Sequence, residues 1–489
     1  MKSLLLDRIT VAPRKAFDKG SPHINGPAEF GVSPGKECIF AFPVRGEKPV
    51  TFRIEGELPP GILFDPVSGR FSGRPEREGD FPVRVIAFNV HGEDVKDFTL
   101  RVHPDKIGLA PLLGWTSWNA FRTDFDQEKI LRTARALIKS GLAARGYNYI
   151  NIDSGWQGCT RDKETKALDT NYRFPDMASM VREIHELGLH AGIYSTPMVI
   201  AWGSTHYEIF RGSCGYPVDV YGSLQTPEWL FFGGLGKTPF EKEDAARWAE
   251  WGFDYLKYDW SKCDIAHSRS MSEALRATDR DFVYSLTTIC PPEWAEEYRG
   301  IAHMYRNNPD TEPCWRSVRS SILSADSWLK HCGPGGWFDM DMLALGPVHE
   351  YFGDAVLTNT EAVTAFSAWA LLGSPIQISC DLERIDDFTL DVLSNEELLA
   401  VNQDTSSVAE LIKSVAGAGG YEFRIYRKTL SDGSMVYGFF NLGEEPCYET
   451  FDLGREYRIR DLWACRDLGK TDTLKMSIPA HGVRMLQVC

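Results

Sequence analysis

The stretch FDYLKYDW, residues 253–260, decides both the fold and the place of the chemistry. Residues 255–258 have the pattern of a short strand, and Asp259 follows where that strand is expected to end. A carboxylate at the C-terminal tip of a barrel strand is where a catalytic group lies. The simpler interpretation is that Asp259 caps the next helix or pairs with Lys257, and the octapeptide alone does not separate the two.

Strand and helix patterns alternate on both sides of this stretch, between residues 105 and 404. Strands are predicted at residues 112–118, 147–153, 190–194, 255–258, 283–287, 304–306, shortly before 337, and at 376–379. Helical patterns lie between them, at residues 126–140, 177–187, 240–251, 315–329, 360–371 and 386–399. About eight strand–helix units favour an α/β fold of the (β/α)₈ TIM-barrel type over a doubly wound sheet.

Strand patterns without helices flank this region. On the N-terminal side, residues 50–54 and 81–87 alternate apolar and polar side chains, as half-buried strands do. On the C-terminal side, strands predicted at residues 421–426, 435–440, 457–463 and 483–488 are typical of an antiparallel β-sandwich. We therefore divide the chain into an N-terminal segment (1–24), a small β-sandwich (25–104), the catalytic barrel (105–404) and a C-terminal β-sandwich (405–489).

The run LPPGILFDPVSGRFSGRPEREGDF, residues 58–81, resembles the immunoglobulin-like modules found beside bacterial glycosidases. The resemblance implies an Ig-like β-sandwich for residues 25–104. Such a module either contributes to carbohydrate binding and shapes the active-site cleft, or serves as a spacer or packing module. The second interpretation is favoured, because the sequence of the module carries no separate sign of a site.

The composition argues against several kinds of partner. The 489 residues carry a formal net charge of −15, which disfavours a nucleic-acid backbone or an anionic membrane surface. No apolar run approaches a transmembrane length, and the first eight residues do not resemble a signal peptide. The chain as given is expected in the cytoplasm, or in the periplasm or outside the cell if a signal segment has been removed. A homo-oligomer is compatible with the sequence.

Polar side chains recur where the predicted barrel strands end. Since the strand ends of a barrel meet on one face, we expect these groups to converge. Carboxylates accept hydrogen bonds from hydroxyls and Trp covers an apolar sugar face, so the set suits a polyhydroxylated ring. Two carboxylates could serve as nucleophile and general acid/base of a glycosidase, which needs no metal or organic cofactor. The groups are Trp118, Asp153, Tyr194, Lys257, Asp259, Arg306, Asp310, Asp339 and Asp341.

Several longer runs of the chain carry a family resemblance. They are LGWTSWNAF (113–121), GYNYINIDSGW (146–156), LHAGIYS (189–195), GFDYLKYDW (252–260), GPGGWFDMDML (333–343), SPIQISCDL (374–382) and PAHGV (479–483). Together with the C-terminal sandwich, they make residues 108–489 resemble glycoside hydrolase family 27, the α-galactosidase family. The resemblance implies a retaining glycosidase acting on an oligosaccharide or polysaccharide, with an α-galactoside as the default substrate.

The resemblance also implies roles for single residues. Asp259 matches the nucleophile of the family, and Asp310 matches the acid/base, which lies four residues after an arginine, here Arg306. Lys257 favours an ionised nucleophile, whereas Arg306 is expected to depress the pKa of the acid. Glu312 and Glu293 are the alternative candidates for the acid. The sugar subsite implied by the family consists of Trp118, Asp153, Tyr194, Lys257, Arg306, Asp341 and Met342.

The chain departs from the galactose-specific pattern of the family at three places. Asp153-Ser154 stands where two adjacent aspartates are usual, and the run 285–290, SLTTIC, stands where a Cys-Glu pair is usual. The disulfide partner that follows the nucleophile is displaced to Cys263, within reach of Cys214. These departures leave a β-L-arabinopyranoside, an α-N-acetylgalactosaminide or an isomaltose-type α-glucan as alternative substrates.

A function of another class is a non-catalytic carbohydrate-binding protein on a degenerate barrel. The retained Asp259 and the Arg306–Asp310 spacing speak against it. The 11 cysteines are scattered without Cys-x-x-Cys pairs, so a zinc site is not expected.

Overall fold

The computed structural model describes residues 3–16, 18–205, 208–215, 235–236, 238–260, 263–306, 308–354, 356–417 and 420–489. They form an N-terminal β-region, a central region of alternating strands and helices, and a C-terminal β-region. This order agrees with the sequence-based prediction.

The N-terminal region consists of strands in short hairpins around an apolar core. Two sheets, one of four strands and one of three, enclose Phe40, Phe71 and Phe98, and the rings of Phe40 and Phe98 lie 5.0 Å apart. The predicted alternation is confirmed over residues 81–85, where Phe81 and Val83 are buried and Arg84 is exposed, but it ends there because Ile86 and Ala87 are both buried. The first strand of the chain, β1 (Ser3–Leu6), lies outside this core. The strands of the region are β2 (His23–Ile24), β3 (Glu29–Val32), β4 (Cys38–Ala41), β5 (Val44–Arg45), β6 (Thr51–Gly56), β7 (Ile62–Asp65), β8 (Arg70–Gly73), β9 (Gly79–Asn89) and β10 (Gly92–Val102).

The central region is built on a curled parallel sheet of the TIM-barrel kind. The region contains the strands β11 (Leu113–Thr116), β12 (Tyr149–Asn151), β13 (Gln157–Arg161), β14 (Leu168–Thr170), β15 (His190–Ser195), β16 (Cys214–Gly215), β17 (Thr238–Pro239), β18 (Tyr255–Trp260), β19 (Val283–Thr288), β20 (Met304–Tyr305), β21 (Trp337–Phe338) and β22 (Ile376–Ile378). Within the described residues, eight of them pair in the order β21-β20-β19-β18-β15-β12-β11-β22. A parallel bridge between Leu343 and Ile378 connects the segment after β21 with β22. The strand at residue 255 therefore lies in the middle of the sheet and extends to Trp260, beyond its predicted end.

Helices cover the outside of this sheet. Asp126 caps the helix Gln127–Lys139, because its side chain accepts a hydrogen bond from the backbone N–H of Lys129. The single helix predicted at 386–399 is wrong: the chain breaks at Ser394, and Asn395 caps a second helix. The helices are α1 (Trp118–Phe121), α2 (Gln127–Lys139), α3 (Met177–Glu186), α4 (Glu241–Trp251), α5 (Ile265–Arg276), α6 (Ala295–Arg299), α7 (Trp315–Ala325), α8 (Asn359–Leu371), α9 (Asp387–Leu393) and α10 (Glu396–Gln403).

The C-terminal region packs against α8. Its strands are β23 (Glu410–Ala416), β24 (Glu422–Thr429), β25 (Met435–Asn441), β26 (Cys447–Asp461), β27 (Arg466–Ile478) and β28 (Val483–Val488). They form one sheet in the order β1-β27-β26-β28-β25-β24-β23, so the first strand of the chain joins the last region, in parallel with β27. Side chains such as Phe440 and Trp463 reach the core around α8, which explains why that helix is apolar on nearly every side.

The N-terminal region packs against the end of the barrel at which the strands begin. Ser33 donates from its backbone N–H to Asp281, 2.7 Å away, just before β19. Arg280 forms ion pairs with Glu37 of the N-terminal region and with Asp254, which precedes β18. The opposite end, where the strands finish, is therefore left clear of this region. In the part of the chain that the structure describes, no helix is both long and apolar enough to cross a membrane.

Candidate active site

Asp259 lies at the end of the central strand β18, and its carboxylate is buried. The hydroxyl of Tyr194, in the neighbouring strand β15, donates to Oδ2 at 3.1 Å. The hydroxyl of Thr288, at the end of β19 on the other side, donates to Oδ1 at 2.9 Å. Burial raises the pKa of Asp259 to about 6, and the charge of Lys257 limits that rise. The group is thus an oriented carboxylate whose two oxygens are held by neighbouring strands.

Lys257 connects Asp259 to a second carboxylate. It lies two residues before Asp259, and alternation along the strand puts both side chains on the same face. Its ammonium donates to Asp153 Oδ2 at 2.8 Å, just beyond the end of β12. Burial would lower the pKa of Lys257, but the charges of Asp153 and Asp259 outweigh that effect and raise it. Lys257 is therefore a permanent cation between two carboxylates.

Arg306, directly after β20, organises the other half of the site. It donates to Asp310 Oδ1 at 2.7 Å and forms a second ion pair with Asp341, which follows β21. Asp341 also accepts the backbone N–H of Thr311 at 2.5 Å. Since Thr311 is the next residue after Asp310, the Arg306–Asp341 pair fixes the loop that presents Asp310.

The environment of Asp310 differs from that of Asp259. About 47% of the Asp310 side chain is exposed, so it faces the mouth of the site. The effect of burial on its pKa is outweighed by Arg306 and Lys257, and the net pKa is lowered. This direction is the one expected from Arg306. A ligand that removed water from the exposed side of this carboxyl group would raise its pKa.

Trp118 and Met342 border the site without joining these ion pairs. Trp118 begins α1, beyond the end of β11, and its ring stacks on the guanidinium of Arg122. Met342 lines the small space beneath the carboxylates together with Lys257 and Arg306. The structure therefore brings the predicted sugar-subsite residues to one end of the barrel, with Trp118 at its edge.

The alternative acids lie further out. Glu312 is exposed in the loop after Asp310, and Glu293 is exposed in the 3₁₀ turn Pro292–Trp294. Of these three candidate acids, Asp310 is the one that accepts a hydrogen bond from an arginine, Arg306, within the described residues.

The sequence places Asp339 among the converging groups but assigns no role in the site to Thr288 or Arg122. Thr288 stands within the run 285–290, where the family pattern is broken, and that break was the available signal. Asp339 accepts the backbone N–H of Asp341 at 2.8 Å, where Asp341 adopts a φ of 75° that is unusual for a non-glycine residue. Burial raises the pKa of Asp339 to about 6. It supports Asp341 from beneath.

The two departures at Ser154 and at the cysteines have clear structural outcomes. The Ser154 hydroxyl donates to the backbone oxygen of Trp202 at 2.5 Å, so it is already engaged with the protein. Cys214 and Cys263 are separate thiols, and Cys214 lies 3.2 Å from Glu241. Asp153 is therefore the carboxylate that the end of β12 offers to a ligand.

The arrangement combines two carboxylates of different character at one end of the barrel. Asp259 is buried and oriented by hydroxyl donors, and Asp310 is paired with an arginine at the mouth. Such a pair can divide a displacement reaction between an attacking oxygen and a proton carrier. The cations Lys257 and Arg306 compensate the charge of the surrounding carboxylates.

The chain is similar in sequence and in fold to known proteins. The family described as alpha galactosidase A matches residues 110–218 and 212–404, and the alpha galactosidase C-terminal beta sandwich domain matches residues 420–488. Alpha-galactosidase 3 of Arabidopsis thaliana is 32% identical over 399 residues, which cover 77% of this chain and 82% of that protein. The structure of alpha-galactosidase I from Mortierella vinacea superposes with a TM-score of 0.65 at 28% identity and covers 78% of this chain and 98% of that one.

A solved structure from Bacteroides fragilis NCTC 9343 is similar over a longer range. It gives a TM-score of 0.83 at 27% identity, with coverage of 96% of this chain and 98% of that one. The likeness therefore extends through the N-terminal β-region as well as the barrel and the C-terminal sheet.

Proposed function

Because the chain belongs to the alpha galactosidase A family, a family of glycoside hydrolases, we propose that it hydrolyses α-galactosides by a retaining double displacement. The observation that carries this proposal is the environment of Asp259. Its two oxygens accept hydrogen bonds from Tyr194 and Thr288, and Lys257 stands beside it. These contacts orient a carboxylate for attack and favour its ionised form.

In the first step, a carboxylate oxygen of Asp259 forms a bond to the anomeric carbon of the sugar. The bond from that carbon to the leaving-group oxygen breaks, and protonated Asp310 transfers its proton to that oxygen. A covalent glycosyl-enzyme remains. The lowered pKa of Asp310 in the free protein means that substrate binding must supply the proton affinity, by covering the exposed side of the carboxyl group.

In the second step, Asp310 acts as the base. It takes a proton from water as the water oxygen bonds to the anomeric carbon, and the bond to Asp259 breaks. Asp259 is then ionised again and Asp310 is protonated again. Arg306 stabilises the ionised form of Asp310 in this half of the cycle, since it already donates to that carboxylate at 2.7 Å.

The sugar subsite in this proposal is formed by the groups around the nucleophile. Asp153 and Asp341 accept from sugar hydroxyls, Lys257 and Arg306 donate, and Trp118 covers an apolar face of the ring. Tyr194 and Met342 complete the wall. Ser154, which is bound to Trp202, leaves this subsite one carboxylate short of the galactose-specific pattern. A rebuilt subsite for β-L-arabinopyranosides, α-N-acetylgalactosaminides or isomaltose-type α-glucans is the second candidate.

We further propose the domain boundaries 1–24, 25–104, 105–404 and 405–489, with an Ig-like module at 25–104. Two sheets around one apolar core support the module. Its contacts with the barrel, through Ser33 and Glu37, are at the end opposite Asp259. This position favours a packing role over direct contact with the substrate.

A substrate panel tests the function. The panel holds aryl α-galactoside, β-L-arabinopyranoside, α-N-acetylgalactosaminide and α-glucoside, each with the Asp259→Ala variant as control. We expect turnover of the α-galactoside, lost in the variant. Turnover of another member, lost in the same way, would reassign the sugar and keep the mechanism. Binding of oligosaccharides without turnover of any substrate would support the non-catalytic carbohydrate-binding protein instead.

A further inference from the structure

We infer that Arg122, held between Trp118 and Tyr351, forms a leaving-group subsite that binds an anionic sugar, such as a uronic acid residue. The inference rests on the proposed function and specifies its substrate. It assigns a role to two residues, Arg122 and Tyr351, that the catalytic steps do not use.

The guanidinium of Arg122 is clamped between two aromatic rings. Its carbon lies 4.1 Å from the centre of the Trp118 ring and 4.2 Å from that of Tyr351. Stacking of this kind fixes the plane of a guanidinium and leaves its N–H edge free to donate. The side chain is half-buried, whereas Tyr351 is 66% exposed, so the clamp opens to solvent.

The backbone of Arg122 is also unusual. Its φ of 52° and ψ of −121° lie in a region that a residue with a long side chain rarely adopts. Conformations of this kind cost free energy and are retained where the side chain has to point in a particular direction. The loop of Tyr351 is tied to the same place, because His349 donates its backbone N–H to the oxygen of Asn119 in α1.

The clamp lies on the leaving-group side of the site. Trp118 borders the sugar subsite, and its neighbour Asn119 donates to the backbone oxygen of Thr311, next to Asp310. Burial would raise the pKa of Asp310, Arg306 and Lys257 outweigh it, and the positive charge of Arg122 adds a smaller effect in the same direction. An acid that protonates the leaving oxygen faces the leaving group, and Arg122 directly follows α1, whose Asn119 contacts the loop of Asp310 on that side.

Among the described residues, the cations of the site differ in whether they have an ion pair. Lys257 is paired with Asp153, and Arg306 with Asp310 and Asp341. For Arg122, the contacts found within the described residues are the two aromatic rings and the long-range attraction to Asp310. A guanidinium has only donors to offer, and a carboxylate matches its geometry with two parallel hydrogen bonds. A uronic acid residue in the leaving group would supply that carboxylate.

The experiment compares two disaccharides that differ only at C6 of the leaving sugar: α-galactosyl-galacturonic acid and α-galactosyl-galactose. We expect kcat/KM of the wild-type protein to favour the acidic disaccharide by roughly tenfold or more. Arg122→Met should bring the ratio close to one, and Arg122→Lys should give an intermediate ratio. Arg53→Met is the matched control, since Arg53 stacks on Phe88 in the N-terminal region, away from the site; its ratio should equal that of the wild type.

The outcomes separate the two proposals. The inference is overturned if the wild-type kcat/KM ratio of acidic to neutral disaccharide is near one, or if the preference for the acidic disaccharide survives in Arg122→Met. In either case, turnover of aryl α-galactoside still supports the proposed function. If aryl α-galactoside is not hydrolysed, the proposed function fails, and binding decides the inference. The methyl glycoside of galacturonic acid, with its carboxylate free, should then bind Asp259→Ala protein more tightly than the methyl glycoside of galactose. Fluorescence titration measures both affinities, and the difference should disappear when Arg122→Met is added. Equal binding would overturn it.

Discussion

Two buried aspartates lie at opposite ends of strand β18 and have opposite electrostatic environments. Asp254 precedes the strand and accepts from His185 at 2.8 Å, from the backbone of Ala191 at 3.0 Å and from Arg280 at 2.6 Å. Burial would raise its pKa, but the charges and hydrogen bonds of His185 and His190 outweigh burial and hold the pKa well below the ordinary range. Asp254 is thus surrounded by donors.

Asp259, at the other end of the same strand, is left with two hydroxyl donors and the nearby charge of Lys257. Burial dominates there and raises the pKa to about 6. The difference shows that one strand carries a structural carboxylate at its start and a reactive carboxylate at its end. The carboxylate whose partners are saturated joins the barrel to the N-terminal region, through Arg280 and Glu37. The carboxylate with fewer partners keeps the reactivity that a nucleophile needs.

The same isosteric Asp→Asn substitution at each end of β18 should separate catalysis from stability. These are the largest effects that we predict. Asp259→Asn should lower kcat for aryl α-galactoside by about 10³-fold or more, because an amide cannot form the glycosyl ester. Asp254→Asn should instead lower the free energy of unfolding by about 3 kcal/mol or more, because it leaves Arg280 and His185 without their carboxylate. Steady-state kinetics and urea unfolding of both variants measure this. A kcat per folded molecule that falls equally in the two variants would contradict the division of roles.

A third carboxylate to compare is Asp310, which lies at the mouth of the site. Asp310→Ala should slow glycosides with poor leaving groups by about 10² to 10⁴-fold, because they need a proton on the departing oxygen, and activated aryl glycosides much less. Glu312→Ala is the matched control, since it removes an exposed carboxylate two residues away. If Glu312→Ala, and not Asp310→Ala, shows the dependence on the leaving group, Glu312 is the acid.

The position of Asp259 at a strand end could be predicted from the eight residues around it, because a strand pattern is local. The choice of Asp310 depends on the family resemblance, in which the acid lies four residues after an arginine, and the structure pairs Arg306 with Asp310 at 2.7 Å. The partners of these residues could not be predicted in the same way. Thr288 reaches Asp259 because β18 and β19 pair in parallel with Trp260 opposite Thr288, and that register is a property of the folded sheet.

The fold shows the same limit. The order of β-region, barrel and β-region follows from periodicity, which is local. The pairing of β1 with β27, between residues Ser3–Leu6 and the far end of the chain, depends on contacts separated by most of the sequence. The division of residues 386–399 into α9 and α10 depends on Asn395, whose side chain accepts from the backbone of Leu398 and donates to the oxygen of Leu462 in the C-terminal region.

The pH dependence of activity should report Asp259 and not Asp254. Because the pKa of Asp259 is about 6, kcat/KM for an activated aryl α-galactoside, whose leaving group needs little protonation by Asp310, should fall as the pH drops through about 6, where the nucleophile becomes protonated. Lys257 lowers the pKa of Asp259, so Lys257→Met should move this limb to higher pH. A profile measured from pH 4.5 to 8 checks both. A limb that stays in place in Lys257→Met would mean that another group controls it.

The smallest expected effect is on stability, and it has opposite sign at the two ends of β18. The folded pKa of Asp259, about 6, lies above its ordinary value of 3.8, so its proton stabilises the folded state fully below pH 3.8 and that contribution is lost as the pH rises through about 6. Asp254, whose pKa is lowered, contributes stability above pH 3.8 that is lost as the pH falls below it. Asp259→Asn, which cannot ionise, should therefore raise the free energy of unfolding relative to wild type by about 1 to 3 kcal/mol more at pH 7.5 than at pH 4. Asp254→Asn should lower it by similar amounts at pH 7.5 and at pH 4, because the contribution of Asp254 is lost only below pH 3.8. Urea unfolding of the two variants at both pH values measures the contrast, and parallel curves would mean that the two carboxylates have similar environments after all.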